Sequence, residues 1–421
     1  MLPLKFIREN IEFVKSKTKS KNTEIDFDII LNLDLTRRKL INSVENLKSD
    51  RNSFSKKIGK LKKEGKDVSE VLINMKNTST EIKDLDIQLK EINNKLDNLL
   101  LYIPNLCHES VPTGNSENDN LLIKEWGEIP KFDFKPKDHL ELGENLNLFD
   151  FKRASKMSGT GFPLYVGKGA KLERGIIQFM LDLHSDEHGY TELFPPFLTN
   201  REATQTTGQL PKFEEDMYYI PSDDLFCIST AEVPVTNIHK DEILKEDELT
   251  KKYVAYSACF RREAGSYGKD TRGLLRVHQF NKVELVKFTK PEESYNELEK
   301  LLQNAEKVLQ LLNIPYRIVT LCSGDLSFSA AKCYDIEIWA SGTNKWLEVS
   351  SCSNFESFQA RRGNIRYRNN ETGKLEFVHT INGSGVATPR LVAALLENNQ
   401  NEDGTITIPK VLHRYLNMTQ L

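Results

Sequence analysis

Two long runs of apolar residues, spaced alternately three and four apart, constrain the fold of this chain more than any other feature of its sequence. The first run consists of Ile30, Leu33, Leu40, Val44, Leu47, Phe54, Ile58 and Leu61. Arg37 and Arg51 occupy the two remaining positions of its repeat. The second run keeps the same period and consists of Val71, Met75, Thr78, Ile82, Leu85, Leu89, Ile92, Leu96 and Leu99. This repeat predicts the contact seam of a coiled coil.

The two runs are separated by a short break, residues 64–67, with the sequence EGKD. Two helices joined by so short a turn fold back on each other as an antiparallel hairpin. Because a helix rises about 1.5 Å per residue, each helix would extend roughly 50 Å. The sequence therefore predicts a long helical arm that projects from the domain to which it belongs.

Charge is distributed unevenly along the chain, although its formal net value is only −3. Residues 1–103 contain 21 basic and 16 acidic residues, a net charge of +5, which leaves −8 for the remainder. Near the tip of the predicted arm the basic residues are Lys48, Arg51, Lys56, Lys57, Lys60, Lys62, Lys63 and Lys66. Only Asp50 and Glu64 oppose them, so a nucleic-acid backbone would bind there. Periodicity alone leaves a second interpretation open, a coiled coil that serves only for protein interaction or dimerisation.

Length and composition narrow the class of protein. A chain of 421 residues exceeds the size at which one hydrophobic core keeps growing, so we expect at least two domains. Hydrophobic residues at 38% and charged residues at 28% are typical of a soluble globular protein. The first ten residues carry charges and no long apolar run, which argues against a signal peptide or a membrane span and predicts a cytoplasmic protein. The six scattered cysteines form no CxxC pair, so neither a zinc site nor a disulfide framework is indicated.

Pro104 ends the second helix, and the polar, turn-rich segment 111–120 marks a linker. We therefore divide the chain into a helical arm domain, 1–110, and a second domain, 111–421. Helices in the second domain are predicted at about 170–187 and 292–312, and strands at 190–198, 252–260, 279–288, 316–321, 334–339 and 345–350. Most of these strands follow one another without crossover helices, which favours an antiparallel sheet flanked by helices and an α+β fold class.

The segment from Phe260 to Glu284 concentrates the residues that could carry chemistry. It reads as a strand, a loop rich in glycine and arginine, and a returning strand. Its guanidinium groups suit bidentate binding of phosphates, its carboxylates can orient amines or hydroxyls, and Phe280 offers a flat face to a base. The chain contains no GxGxxG or Walker loop, so a nucleotide would have to be held in another way. A solvated hairpin with internal ion pairs is the alternative that this segment alone leaves open.

Segment 260–284 resembles motif 2 of the class II aminoacyl-tRNA synthetases, in the form found in the seryl-tRNA synthetases. Residues 189–198 (GYTELFPPFL), with Pro196, resemble motif 1. Residues 385–397 (GVATPRLVAALLE), in which Arg390 leads into a helix, resemble motif 3. Motif 3 departs from the family pattern at Thr388-Pro389, where a pair of small residues is more usual.

Further segments are similar to the same family, namely TTGQLPKF at 206–213, TAEVPVTN at 230–237 and LEVSSCSNFESFQARR at 347–362. With the basic hairpin and the overall length, the resemblance covers essentially the whole chain. It implies a class II synthetase domain built on an antiparallel β-sheet, preceded by a coiled-coil arm.

The resemblance implies a two-step ligase reaction. Serine carboxylate attacks the α-phosphate of ATP to give seryl-adenylate and pyrophosphate, and a ribose hydroxyl at the 3′ end of the tRNA then takes the seryl group; no protein base is assigned to that second step. Arg261 would bridge the α-phosphate and the serine carboxylate, and Arg276 would hold the γ-phosphate. Phe280 and Arg390 would sandwich the adenine, with Glu263 near its amino group. The residues assigned to ATP are Arg261, Arg262, Glu263, Arg276, Val277, Phe280, Glu348, Val349, Ser350, Ser351 and Arg390, with Arg261, Arg276 and Arg390 as the catalytic ones.

The resemblance also implies the remaining ligands and partners. The serine pocket would consist of Thr230, Ala231, Glu232, Arg261, Glu284 and Ser384. Glu348 and Ser351 would bind Mg²⁺, a hard cation that prefers oxygen donors. No zinc is expected, since Cys and His do not cluster. The partners would be tRNA(Ser), bound through the arm, with tRNA(Sec) as a second candidate, and a second copy of the chain, contacted through residues 189–198; no membrane is expected.

Two other classes of protein remain as alternatives. A non-catalytic paralogue could keep the fold and act as a tRNA-binding or regulatory module, but we would expect it to have lost contacts to ATP or metal, and Arg261, Arg276, Glu348 and Arg390 are all present. A purely structural coiled-coil protein would explain residues 30–100 and nothing else. Serine-dependent exchange of pyrophosphate into ATP distinguishes an enzyme from both.

Overall fold

The computed structural model describes residues 1–263 and 272–421. The tip of the predicted motif 2 loop, residues 264–271, lies outside the described residues. The chain divides into two compact units, one formed by Leu2–Lys19 and Thr23–Ile103, the other by Met1, Ser20–Asn22 and Pro104–Leu421. We call them the arm unit and the sheet unit. The division into domains at residues 110 and 111 remains a prediction.

The arm unit contains the predicted helical hairpin. Its helices are α1 (Leu4–Glu9), α2 (Ile11–Ser20), α3 (Phe27–Lys63) and α4 (Ser69–Leu100). Asp26 caps α3, because its carboxylate accepts hydrogen bonds from the backbone N–H groups of Asp28 and Ile29. Every position of the predicted seam is buried or half-buried, whereas Ile73 and Ile87, which lie outside the repeat, are exposed. The predicted coiled coil is confirmed.

Asp34 is a buried charge of the arm unit that the repeat did not reveal. Its side chain is only 1% exposed. Arg8 Nη1 and Arg38 Nε donate to its Oδ2 at 2.9 and 3.0 Å, and Arg37 lies 3.8 Å from its Oδ1. Arg37 Nε also donates to Asn93 Oδ1 of α4 at 2.7 Å. Arg37, one of the two arginines that interrupt the apolar repeat, therefore joins α3 to α4 by a polar contact.

In its described residues, the sheet unit combines helices with three sheets. Its helices are α5 (His139–Asn145), α6 (Phe151–Ser158), α7 (Lys168–Asp182), α8 (Arg201–Thr207), α9 (Glu232–Asn237), α10 (Ser294–Leu312), α11 (Phe358–Arg362), α12 (Thr388–Asn398) and α13 (His413–Leu416). Its strands are β1 (Leu121–Trp126), β2 (Thr191–Leu193), β3 (Leu198–Asn200), β4 (Tyr219–Ile220), β5 (Leu225–Cys227), β6 (Ile243–Lys245), β7 (Lys251–Phe260), β8 (Gln279–Thr289), β9 (Tyr316–Thr320), β10 (Lys332–Ala340), β11 (Lys345–Glu356), β12 (Arg366–Arg368), β13 (Leu375–Phe377) and β14 (His379–Ala387).

The main sheet has eight strands in the order β1-β9-β10-β11-β14-β8-β7-β2. Neighbouring strands are antiparallel except for the pair of β2 with β7. The long hairpin of β7 and β8 pairs Phe260 with Gln279 at the end next to its connecting loop. Helix α10 packs against β14 and β11, and α12 packs against β10. The predicted α+β class with an antiparallel sheet flanked by helices is confirmed.

Three strand predictions need correction. The single strand predicted at 190–198 is two short ones, β2 and β3, because Pro195 and Pro196 lie between them and proline cannot donate to a strand ladder. The strands that were not predicted are β1, β4, β5, β6, β12, β13 and β14. The strand predicted at 345–350 continues to Glu356.

All six cysteines lie within the described residues and all are free. Cys107, Cys259, Cys322, Cys333 and Cys352 are buried, and Cys227 is half-buried. Burial raises the pKa of the Cys227 thiol. In the described part of the chain, no helix combines the length and the apolar character that crossing a membrane requires.

Candidate active site

A cavity of about 590 Å³ opens in the sheet unit above β7, β8, β11 and β14, beside the start of α12. Most of the residues that the sequence assigned to substrates line it, namely Thr230, Glu232, Arg261, Glu263, Arg276, Val277, Phe280, Glu284, Glu348, Val349, Ser351, Ser384 and Arg390. They come from segments up to 160 residues apart in the chain, between Thr230 and Arg390. The fold therefore brings into one cavity the residues that the sequence assigned separately to ATP, serine and metal.

Three assigned residues are not among those that line the cavity. The Arg262 guanidinium lies over the ring of Tyr218, 5.9 Å from its centroid. Ala231 is fully buried beside Thr230. Ser350 is buried, and its hydroxyl donates to the carbonyl oxygen of Ser384 at 2.7 Å. Their assignment to ATP or serine remains a prediction.

Two arginines of the β7–β8 hairpin face into the cavity with different partners. Arg276 Nη1 donates to Glu263 Oε2 at 2.5 Å, and both side chains are half-buried. The Arg261 guanidinium lies over the ring of Phe280, 5.1 Å from its centroid, and its Nε donates weakly to the Ser229 carbonyl at 3.4 Å. Positive charge and a flat aromatic face thus lie side by side, as binding of a nucleotide phosphate and base requires.

Arg390 enters the cavity from the first turn of α12. Its Nε donates to the carbonyl oxygen of Leu275 at 3.0 Å, and its Nη1 donates to that of Glu348 at 2.7 Å. Because both carbonyls are backbone groups, they fix the plane of the guanidinium. A fixed planar cation of this kind can stack on a base.

The deep end of the cavity is polar and shielded from solvent. Glu284 Oε2 accepts hydrogen bonds from Thr230 Oγ1 at 3.0 Å and Lys282 Nζ at 2.5 Å. The side chains of Lys282 and Glu284 are 9% and 2% exposed. Ser384 lies opposite Glu284 in the pairing of β14 with β8. The pocket can therefore take a small ligand that carries both an amine and a hydroxyl.

Glu232 adds a second carboxylate at this end. Burial and the charge of nearby Glu284 raise the pKa of Glu232 from 4.5 to about 7. Gln359 Nε2 donates to its Oε1 at 2.6 Å, and Gln209 Nε2 approaches its Oε2 at 3.5 Å. The two carboxylates, Glu232 and Glu284, outnumber the one lysine, Lys282. The pocket can therefore bind one further cation, such as an α-ammonium group.

Oxygen donors also meet beside Arg390. Ser351 Oγ donates to Glu348 Oε1 at 3.2 Å, and both residues line the cavity. Asp335 pairs with Ser351 across β10 and β11. Burial, and then the charge of Glu348, raises the pKa of Asp335 well above its usual range. Glu348 and Asp335 thus bring carboxyl oxygens close together, which suits a hard divalent cation. Such an ion would balance the negative charge of this part of the cavity.

Sequence reasoning did not find Lys282, Gln359 or Asp335. A signal for Lys282 was available, since positions 280, 282 and 284 of one strand share a face and the outer two were already assigned. Gln359 and Asp335 act through contacts distant in sequence, which no local pattern reveals. Among the described residues, no three His, Cys, Asp or Glu side chains form a metal cluster; the expectation of no zinc stays a prediction.

Two family models match the chain. Residues 1–107 match the seryl-tRNA synthetase N-terminal domain, and residues 213–399 match the tRNA synthetase class II core domain of the G, H, P, S and T enzymes.

Curated relatives and solved structures match over the full length. The chain is 60% identical over 417 residues to the serine–tRNA ligase of Bacillus licheniformis, covering 99% of this chain and 98% of that one. It is 57% identical over 416 residues to the serine–tRNA ligase of Caldicellulosiruptor bescii, covering 99% of each. Among solved structures, the seryl-tRNA synthetase of Pyrococcus horikoshii in complex with ATP superimposes with a TM-score of 0.93 at 39% identity, covering 100% of this chain and 99% of that one.

Proposed function

The chain belongs to the seryl-tRNA synthetases of the class II aminoacyl-tRNA synthetase family, and we propose that it is an ATP-dependent, AMP-forming serine–tRNA ligase. It activates serine to seryl-adenylate and transfers the seryl group to the 3′ end of tRNA(Ser). The observation that carries this proposal is the single cavity that holds phosphate-binding arginines, a base-stacking face and a small buried acidic pocket. The alternative of a non-catalytic paralogue has no observation in its favour.

In the first step the protein has to position two anions and neutralise developing charge. Arg261 lies between the Phe280 ring and the serine pocket, so it can bridge the α-phosphate and the serine carboxylate. Arg276 Nη1 donates to the Glu263 carboxylate. We propose that the γ-phosphate replaces Glu263 as the partner of Arg276, which frees that carboxylate to approach the adenine amino group.

The adenine would lie between Phe280 and Arg390. Phe280 is on β8, and Arg390 is fixed by the backbone carbonyls of Leu275 and Glu348. Stacking on a ring from one side and a guanidinium from the other binds a base without reading its edge. The edge would be read by Glu263.

The serine pocket accounts for choice of amino acid. We propose that Glu284, Glu232 and Ser384 hold the ammonium and hydroxyl groups, with Thr230 orienting Glu284. Alanine would leave these buried partners unpaired, which is costly, whereas the closed end of the pocket excludes threonine by size. Glycine would lose the contacts of the whole side chain.

We propose that Glu348 and Ser351 hold Mg²⁺, with Asp335 behind them. When bound, the ion would neutralise phosphate charge and orient the triphosphate. The residues of this chain supply oxygen donors, and burial, followed by the charge of Glu348, raises the pKa of Asp335 behind them.

Binding of tRNA(Ser), and of tRNA(Sec) if it is a substrate, is assigned to the arm. Seven of the eight basic residues near its tip are exposed, and the eighth, Arg51, is half-buried. The model match of residues 1–107 supports this assignment. A ribose hydroxyl of the bound tRNA completes the second step, for which no protein base is assigned.

A homodimer and a cytoplasmic location are further proposals. Phe194 and Leu198 of the 189–198 region are 79% and 41% exposed, although both are large and apolar. Such residues are usual where a second copy covers them.

Serine-dependent exchange of labelled pyrophosphate into ATP tests the activity. We expect exchange with serine and far less with alanine, glycine or threonine, followed by charging of bulk tRNA with serine. Glu284→Gln keeps the size of the side chain but removes its charge, so it should lose exchange while retaining ATP binding. A parent protein that binds ATP and tRNA but shows no exchange would overturn the proposal in favour of a binding module.

A further inference from the structure

Glu173 is a buried glutamate of α7 that neither the motifs nor the proposed reaction uses. It is only 5% exposed. Its Oε1 accepts a hydrogen bond from Asn281 Nδ2 at 2.8 Å and a second, shorter one from Thr388 Oγ1. Its Oε2 is buried and has no hydrogen-bond partner among the described residues. One carboxylate oxygen therefore joins two residues that are 107 positions apart in the chain.

The two donors stand next to cavity residues without lining the cavity themselves. Asn281 lies on β8 between Phe280 and Lys282, which both line the cavity. Because successive side chains of a strand point to opposite faces, Asn281 points away from the cavity, towards α7. Tyr256 of β7 donates to Asn281 Oδ1 at 3.1 Å, so the amide is held from a second side.

Thr388 occupies the equivalent position on the other wall. It is the first residue of α12, is fully buried, and lies between Ala387 and Pro389, which both line the cavity. Its hydroxyl is also 3.1 Å from the carbonyl oxygen of Asn281. Arg390 follows two residues later. The departure from the family pattern at Thr388 thus supplies a hydroxyl that ties the start of α12 to β8 and α7.

We infer that Glu173 is a positioning residue for adenine nucleotides, because it ties the strand that presents Phe280 to the helix that presents Arg390. This inference rests on the proposed function, in which those two side chains enclose the base. Glu173 does not line the cavity, so it acts through Asn281 and Thr388. It sets the width of the slot into which the adenine fits.

The test compares Thr388→Val with Thr388→Ser, which differ in the hydroxyl that donates to Glu173. Loss of one buried hydrogen bond of this kind should weaken ATP and AMP binding by about tenfold in calorimetry, and Thr388→Ser should restore most of it. In pyrophosphate exchange the KM for ATP should rise, with the KM for serine within about twofold of the parent. Thr289→Val is the matched control, since Thr289 is a fully buried threonine at the end of β8 whose hydroxyl lies 2.8 Å from Thr250 Oγ1.

Glu173→Gln, alone and combined with Thr388→Val, tests the carboxylate itself. If both residues act through one contact, the double variant should lose no more than about the larger single loss. AMP affinity equal to that of the parent in folded Thr388→Val and Glu173→Gln would overturn the inference. So would equal losses of serine and ATP affinity, which would indicate a general structural role. If the parent lacks exchange activity but these variants still bind AMP more weakly than the parent does, the proposed function is refuted and the inference about Glu173 stands.

Discussion

Arg261 lies where the two substrates of the first step would meet, between the Phe280 ring and the carbonyl of Ser229. We expect Arg261→Ala to cost at least about 3 kcal/mol in adenylate formation, the scale of one charge-stabilising group in a catalytic site. Pyrophosphate exchange at saturating serine measures it. Arg153→Ala is the control, because Arg153 is 76% exposed on α6. Near-normal exchange in Arg261→Ala would remove this residue from the catalytic set.

Glu173 also links stability to pH. Burial raises its pKa from 4.5 to about 7, and the titratable groups beside it, Tyr165 and Tyr256, stay neutral because burial raises their pKa values too. Between those pH values the folded protein keeps a proton that the unfolded chain has lost. The free energy of unfolding should therefore fall as pH rises through this window, by about 3 kcal/mol for this group.

Glu173→Gln should remove the contribution of Glu173 to the pH dependence of the free energy of unfolding. This holds whatever the substitution does to stability at low pH. Urea unfolding midpoints measured between pH 4.5 and 8 test the expectation. Glu232, whose pKa is also about 7, should leave a residual slope in the variant. Glu402→Gln, at an exposed glutamate between α12 and α13, should keep the slope of the parent. A Glu173→Gln slope equal to that of the parent would show that Glu173 is ionised throughout.

At the residue scale, the sequence predicted those side chains that lie inside a recognisable motif. Arg261, Phe280 and Arg390 needed only the motif and the strand or helix that carries it. Glu173 could not be found in this way, since its partner Thr388 is 215 positions further along the chain. Contacts of that kind depend on how layers pack, and a single sequence contains no local trace of them.

The arm is an element whose role can be separated from the chemistry. Arg37 of α3 donates to Asn93 of α4 across the antiparallel hairpin, so a short linker can join residues 34 and 96 in place of residues 35–95. Serine activation should then survive, because the cavity lies wholly in the sheet unit. Aminoacylation should collapse. A deletion variant that charges tRNA as well as the parent would leave the coiled coil with a structural role only.

Neutralising lysines at the tip tests the role of the arm without deleting it. Replacing Lys56, Lys57, Lys60 and Lys63 by alanine should weaken tRNA binding and lower its salt dependence by about three units of slope, since each phosphate contributes roughly 0.7 to 0.9. Affinity for ATP and serine should not change. The control replaces four exposed lysines further from the tip, Lys39, Lys83, Lys90 and Lys95. Equal salt slopes in the two variants would contradict a specific role for the tip.

Among the elements, β14 shows why some strands could not be predicted. Its sequence HTINGSGVA contains two glycines and an asparagine, which local propensity assigns to a loop. A Cβ at Gly383 would lie 2.4 Å from Leu301 Cδ2, and one at Gly385 would lie 2.7 Å from His184 Nε2. Close packing of these side chains against β14 therefore demands glycine at both positions. The seam of the arm, by contrast, was predictable because its contacts repeat within each helix.

Association of two chains is the expectation at the scale of the whole molecule. Phe194 is 79% exposed and contacts Phe197 and Tyr256, with ring centroids 5.9 and 6.4 Å away. Phe194→Asp should raise the dimer dissociation constant by at least about tenfold, because a charge replaces an apolar anchor. Sedimentation velocity across a dilution series measures it. Ile73→Asp, at an exposed isoleucine of α4, should have no such effect; a fully active monomeric parent would refute the dimer.

The distribution of the cysteines has a practical consequence. Five thiols are buried, and only Cys227, at the end of β5, is partly open to solvent. Since the reacting species of a thiol is its thiolate and burial raises the pKa of Cys227, even this sulfur should react slowly near neutral pH. The native chain therefore offers a single, pH-adjustable attachment point for a maleimide dye, whereas the unfolded chain offers six.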